Sequence, residues 1–145
     1  MREGEFLNGK IWNGKEYEYH FLDNTLIYRG EFKNGEKNGI WKEYYDKNLI
    51  FEGEYLDGRK WKGKLAEYYN DTNTLIFEGE LSNGERNGKG KEYNPLSSKV
   101  FYEGEYLNGE RHGKGKEYNQ QGKLVFEGEY FKGERWNGKG EENEV

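Results

Sequence analysis

The chain has 145 residues, with 28 Asp and Glu against 23 Lys and Arg, a net charge of -5 and no cysteine. That composition excludes a disulfide framework and a thiolate metal site, and its mild, interspersed acidity argues against a nucleic-acid surface, which needs a basic stripe. Aromatic residues reach 17%, too many for a disordered polar chain, so the apolar surface that drives folding is mostly ring surface.

The opening stretch MREGEFLNGK has no apolar core of a secretory signal. No later run approaches the ~20 apolar residues of a membrane span. A cytoplasmic protein is the expectation.

From its start the chain repeats itself. Glycine triplets recur six times: Gly4-Gly9-Gly14, Gly30-Gly35-Gly39, Gly53-Gly58-Gly63, Gly79-Gly84-Gly88, Gly104-Gly109-Gly113 and Gly128-Gly133-Gly138. A period near 25 residues marks an array of small stacked units. The whole of 1–145 reads as one array, with units at approximately 1–25, 26–48, 49–73, 74–98, 99–121 and 122–145.

Within each unit the first strand surrounds the first glycine. Residues alternate with period two, so Tyr28, Phe51, Phe77, Tyr102 and Phe126 two places before it share its face with Phe6, Phe32, Tyr55, Tyr106 and Tyr130 two places after, Leu81 being the exception. A glycine between two rings leaves room for a ring from the neighbouring unit. The other face takes Ile27, Ile50, Ile76, Phe101 and Val125 with two Glu columns, the residues just before and just after the first glycine; Arg29 alone breaks the former.

A tight turn follows: Asn8-Gly9, Asn34-Gly35, Asp57-Gly58, Asn83-Gly84 and Asn108-Gly109 supply residues that tolerate positive φ. The return strand then runs to Tyr19, Tyr44, Tyr68, Tyr93 or Tyr118, carrying a Glu four residues after the third glycine. Lys15, Lys64, Lys89, Lys114 and Lys139 on this strand are placed to face the Glu columns, each pair contributing perhaps ~0.2–1 kcal/mol. Polar turns such as Asn70-Asp71-Thr72-Asn73 and Gln120-Gln121-Gly122-Lys123 lead to the next unit.

The string Tyr102-Glu-Gly-Glu-Tyr-Leu-Asn-Gly-Glu-Arg-His-Gly-Lys-Gly115 resembles the membrane occupation and recognition nexus (MORN) repeat, and the resemblance extends over six units. One departure is that Lys116-Glu117-Tyr118 puts a Glu where a ring is expected, as do units like Gly39-Ile-Trp41-Lys-Glu-Tyr44-Tyr45, which resemble a variant MORN repeat. A bulge or altered register on the return strand would accommodate it. The resemblance implies a scaffold, sometimes dimerising, sometimes appended to kinases or methyltransferases, to which lipid binding has been attributed.

An isolated hairpin is marginal in water, so the units are expected to stack edge to edge. The fold expected is therefore all-β: an elongated single-sheet β-hairpin solenoid of about six MORN-type repeats, about twelve strands and on the order of 55 Å long at ~4.8 Å per strand.

Repeated carboxylates do not make a catalytic pair, which needs two acids in different environments; the Glu columns read as solubilising surface. His20 and His112 stand alone. No catalytic residue, metal site or cofactor is expected. Three tryptophans are more informative: Trp12, Trp61 and Trp136 occur only where the third glycine comes ten rather than nine residues after the first. Each either folds over its own turn or the adjacent unit, or stands as an exposed anchor for a partner. The ladder Tyr44, Tyr68, Tyr93 and Tyr118 reads as core, or else as the floor of a groove. The polar tail around Asn143 is expected to block further edge pairing, leaving an N-terminal edge open to a homodimer.

The function these features favour is a non-enzymatic scaffold that binds a protein partner. Association with an anionic membrane surface is the alternative, opposed by the acidic charge; carbohydrate or choline binding through the aromatic turns is a third.

Overall fold

Strand alternation and Asn-Gly turns have the local consequence expected of them. The computed structural model describes residues 1–69 and 72–140, and there the chain is all-β and antiparallel. The strands are β1 (Arg2–Leu7), β2 (Lys10–Tyr19), β3 (Leu26–Lys33), β4 (Glu36–Tyr45), β5 (Asn48–Leu56), β6 (Arg59–Tyr68), β7 (Leu75–Ser82), β8 (Glu85–Tyr93), β9 (Val100–Leu107), β10 (Glu110–Tyr118), β11 (Leu124–Phe131) and β12 (Glu134–Gly140). The chain divides into two compact units, Met1–Leu65 and Ala66–Val145. In each, strands pair with their sequence neighbours, β1 to β6 in the first and β7 to β12 in the second. The expected terminal cap around Asn143 and the Asn70-Asp71 half of one connection lie outside the described residues.

The five expected turns all take positive φ at both central positions, 49–53° at the Asn or Asp and 77–85° at the Gly. This is the primed geometry whose twist matches that of the flanking strands. The sixth hairpin makes the same turn with Lys132 (φ 51°) ahead of Gly133, and Asp46-Lys47 forms a further tight link between β4 and β5 at φ 47° and 69°.

Register explains the first-column glycines. In the second unit Gly79, Gly90, Gly104, Gly115, Gly128 and Gly138 lie opposite one another in turn across all six strands. The result is a furrow without side chains running across the strands. Aromatic rings lie in it: a Cβ on Gly104 would stand 2.5 Å from the Tyr102 hydroxyl, and one on Gly115 2.7 Å from the same ring. Edge-to-face contacts link Phe77 to Tyr106, Tyr106 to Tyr102, Tyr102 to Tyr130 and Tyr130 to Phe126, with ring centroids 5.1–5.5 Å apart. Such pairs add about 0.5–1.5 kcal/mol each to the burial of their area.

The first unit solves the same problem differently. Trp41 occupies the β4 position opposite Gly30 and Gly53, fully buried, with its indole where a Gly30 side chain would be. Its ring meets Tyr28, Phe32 and Tyr55, and its Nε1 donates to the Glu31 carbonyl at 2.9 Å. The face shared by first glycines and flanking rings is thus the core, as alternation predicts: Phe51, Tyr55, Phe77, Leu81, Tyr102, Tyr106, Phe126 and Tyr130 are all buried. Tyr28 and Phe32 are only partly buried, and Phe6 is half exposed on β1.

Every return strand bulges, in two sizes. In the hairpins with nine-residue spacing, Lys37 faces Phe32 and Trp41 faces Gly30, so β4 spends four residues where β3 spends two; β8 and β10 do likewise. The third glycines Gly39, Gly88 and Gly113 lie inside these wide bulges at φ 82–93°. In the ten-residue hairpins the excess is one residue: Phe6 faces Ile11 and Glu5 faces Asn13, leaving Trp12 as the extra. Trp61 and Trp136 are the extra residues in the same way.

Candidate interaction surface

The bulges place the tryptophans. An extra residue on one strand has no cross-strand neighbour and is turned out of the ladder, so Trp12, Trp61 and Trp136 keep 37%, 38% and 70% of their surface exposed, while core rings keep no more than 7%. Trp12 also lies over the next hairpin, its ring 3.0 Å from where a Gly35 Cβ would stand. Its carbonyl accepts from the Gly35 N–H at 2.8 Å, and the Asn13 side-chain oxygen accepts from the Asn34 N–H at 3.0 Å. Trp136 meets Phe131 at 5.3 Å. Each of these two is partly packed and partly free, so the choice between packing and anchor does not divide them cleanly.

Tyr44, Tyr68, Tyr93 and Tyr118 belong to the half-buried class and not to the core. The reason lies in alternation: each follows a Glu (Glu43, Glu67, Glu92, Glu117), and Glu43, Glu92 and Glu117 point to the aromatic core, which sends the tyrosines to the opposite, charged face. There the Tyr93 hydroxyl donates to Glu78 at 2.6 Å, and burial together with that bond pushes its pKa up to about 12. The Tyr positions recur along the strands without meeting one another in any ring contact among the described residues.

That charged face is an alternating row. Lys15 faces Glu3, Lys42 and Lys64 face Glu52, Lys91 faces Glu78 and Glu103, and Lys116 faces Glu103 and Glu127. Close ion pairs of 3.4–3.6 Å form at Lys42–Glu52, Lys91–Glu103 and Lys116–Glu127. The expected partners Lys64 and Lys139 also stand opposite Glu52 and Glu127.

Two of the acidic columns have specific structural work instead of general solubility. The Glu after the first glycine closes the wide bulge: Glu80 accepts from the Lys89 N–H and Glu105 from the Lys114 N–H, both at 2.7 Å. The Glu four residues after the third glycine accepts the hydroxyl of the next hairpin's core tyrosine, at Glu43–Tyr55, Glu92–Tyr106 and Glu117–Tyr130. An arginine completes the clamp: Arg111 donates to Glu92 at 2.9 and 3.1 Å, and Arg135 to Glu117 at 3.0 and 2.6 Å. Where Leu81 replaces the tyrosine, Glu67 pairs with Arg86 at 3.3 Å.

These basic residues also lid the core. Lys37 lies 4.5 Å over Trp41, Arg86 3.7 Å over Phe77, Arg111 4.2 Å over Tyr102 and Arg135 4.6 Å over Phe126. The pKa shifts follow. Burial tends to raise Glu92, but bonds from Arg111 and Tyr106 outweigh it and leave the carboxyl below its ordinary range. The Arg135 bond holds Glu117 below its range too. Burial and then the Glu bonds push Tyr55, Tyr106 and Tyr130 far above the usual phenol value. Sequence reading missed this Glu–Tyr–Arg clamp; the signal was the recurrence of Glu 12–14 residues before a core Tyr, visible only once the register is known.

Among the described residues no group of three or more His, Asp or Glu is placed to hold a metal. His20 stacks on Phe21 and His112 meets Phe131. Among the described residues no helix is long and apolar enough to cross a membrane.

The MORN repeat family model matches residues 28–40, 77–95 and 102–123. Each match falls in a hairpin of the wide-bulge class, and the three hairpins with a bulge tryptophan lie outside the matched segments. No curated protein matches the chain.

Proposed function

This chain carries MORN repeats, and from that premise we propose that it is a non-enzymatic scaffold whose protein partner grips the bulge tryptophans Trp12, Trp61 and Trp136. One observation carries the reading: in a chain whose core rings are covered, these three are 37–70% exposed, each as the extra residue of a one-residue bulge. Exposed, rigid indole surface on a fixed backbone is the chemistry of an interface anchor. Trp61→Ala with Trp136→Ala, used as bait beside the unchanged protein in affinity capture with mass spectrometry, tests it. A partner retained by the unchanged protein and lost by the double variant, at an unchanged melting temperature, supports the proposal; equal capture by both sinks it.

A second reading, attachment to a membrane surface, is favoured by Phe21, Leu22 and Leu96, which stand 77–95% exposed in the connections between hairpins. Net charge -5 opposes it at anionic lipid. Flotation with phosphatidylserine vesicles that fails to carry the protein upward removes this option.

A further inference from the structure

The alternating Lys/Glu row has one defect. In the column before the first glycine, Glu3, Glu52, Glu78, Glu103 and Glu127 each face lysine, whereas Arg29 faces Tyr17 on β2 and Lys42 on β4. Among the described residues no carboxylate lies within ion-pair distance of Arg29 or Lys15, and Lys42 reaches Glu52 at 3.6 Å. The sheet surface opens at this point into a cleft of about 230 Å³ lined by Lys15, Tyr17, Arg29, Gly30, Glu31, Ile40 and Lys42. Three cations meet two carboxylates there, Glu31 in the lining and Glu52 beside Lys42.

We infer that this cleft binds the carboxylate of an acidic side chain on an extended peptide from the partner. The Arg29 guanidinium offers the planar fork that grips a carboxylate with two parallel hydrogen bonds, and Lys15 and Lys42 add point charges on either side. Tyr17 and the exposed Ile40, 56% open to solvent, give the neighbouring peptide carbons an apolar wall. Acidic neighbours set the limit: with Glu3 and Glu52 in the same row, the site admits a single anionic group and repels a plane of anionic headgroups. The volume suits one side chain with its adjoining backbone, not a large ligand. The inference rests on the protein-partner reading above and names one chemistry of that partner.

The test is a titration of the isotopically labelled full chain, followed by amide NMR, with a capped peptide carrying two adjacent glutamates among serines, beside the same peptide with glutamines. Expected are saturable shifts at Tyr17, Arg29 and Lys42 with the glutamate peptide only. Arg29→Glu restores the residue found in the other hairpins, so its melting temperature is expected to hold while affinity falls roughly tenfold or more. Shifts spread over all basic residues, equal response to glutamine, or undiminished binding by Arg29→Glu overturns the inference. So does perturbation of these residues by a phosphoserine peptide or by phosphatidylserine vesicles when the glutamate peptide leaves them unmoved. Failure here with tryptophan-dependent capture intact leaves the scaffold reading standing; failure of capture with the titration intact removes only the tryptophan anchors.

Discussion

Glu117 shows what a single residue contributes to this fold. It accepts from the Tyr130 hydroxyl and from Arg135 at once, joining two hairpins with charge-assisted bonds. Glu117→Gln is expected to cost about 1 kcal/mol at neutral pH, a figure set by hydrogen bonds to charged groups and reduced because solvent still reaches the site. The sign of its pH dependence is fixed: a carboxyl held below its unfolded value stabilises above that value, near ~4.3, and the contribution fades as pH falls through the folded pKa. Denaturant titrations of the two proteins should therefore converge in acid. Lys132 makes the opposite case, a residue poorly suited to its place. It holds φ 51° in a turn where four of the other hairpins use Asn and one Asp, so Lys132→Asn is expected to raise stability by about 0.5–1 kcal/mol in the same assay.

At the scale of strands and hairpins, the glycine furrow is the least tolerant feature. A methyl on Gly104 would meet the Lys114 carbonyl and the Tyr102 hydroxyl, both at 2.5 Å. Gly104→Ala should accordingly lower stability by about 1–3 kcal/mol through overpacking, and thermal unfolding will read it directly. Leu81 tests the clamp from the other side. Leu81→Tyr supplies the hydroxyl that Glu67 lacks, and a gain of about 0.5–1.5 kcal/mol is expected; a loss would mean that the clamp depends on the local bulge. Much of this was legible beforehand. Alternation around the first glycine gave the core face, and Asn-Gly pairs gave the turns, because both are local. The tyrosine ladder, read as core or else as the floor of a groove, is half-buried on the charged face. Its face was not legible because a bulge decides how the return strand meets its neighbours, and bulge size is not encoded by period-two alternation. The role of Trp41, filling the place that Gly90 and Gly115 hold elsewhere, depended on the same unseen register.

For the molecule as a whole, acidic and phenolic groups bracket its stable range. Tyr93 and Tyr102 are each pushed up to about 12, with burial the largest cause. A phenol raised in the folded state stabilises below its unfolded value near ~10, and that contribution is lost as pH rises through the folded pKa. Absorbance titration of tyrosinate should show a late fraction ionising together with unfolding; complete ionisation near pH ~10 without unfolding would refute it. Composition had already pointed to ring surface as the source of stability, while the pairing of those rings with carboxylates could be read only from the coordinates. One regularity spans both bulge classes. Gly14 faces Phe32, Gly39 faces Tyr55, Gly88 faces Tyr106 and Gly113 faces Tyr130, so the third glycine meets the next hairpin's core residue whether it comes nine or ten places after the first. The joint is the same in both classes, and the bulge sets only the offset: Gly115 carries the row of Gly104 straight to Gly128, whereas Gly14, opposite Gly4, meets Phe32 and so steps Gly30 two residues along. Hairpins of the two classes are therefore interchangeable modules, and where the tryptophans fall along the array can be rearranged by duplication or exchange without reworking the joints between neighbours.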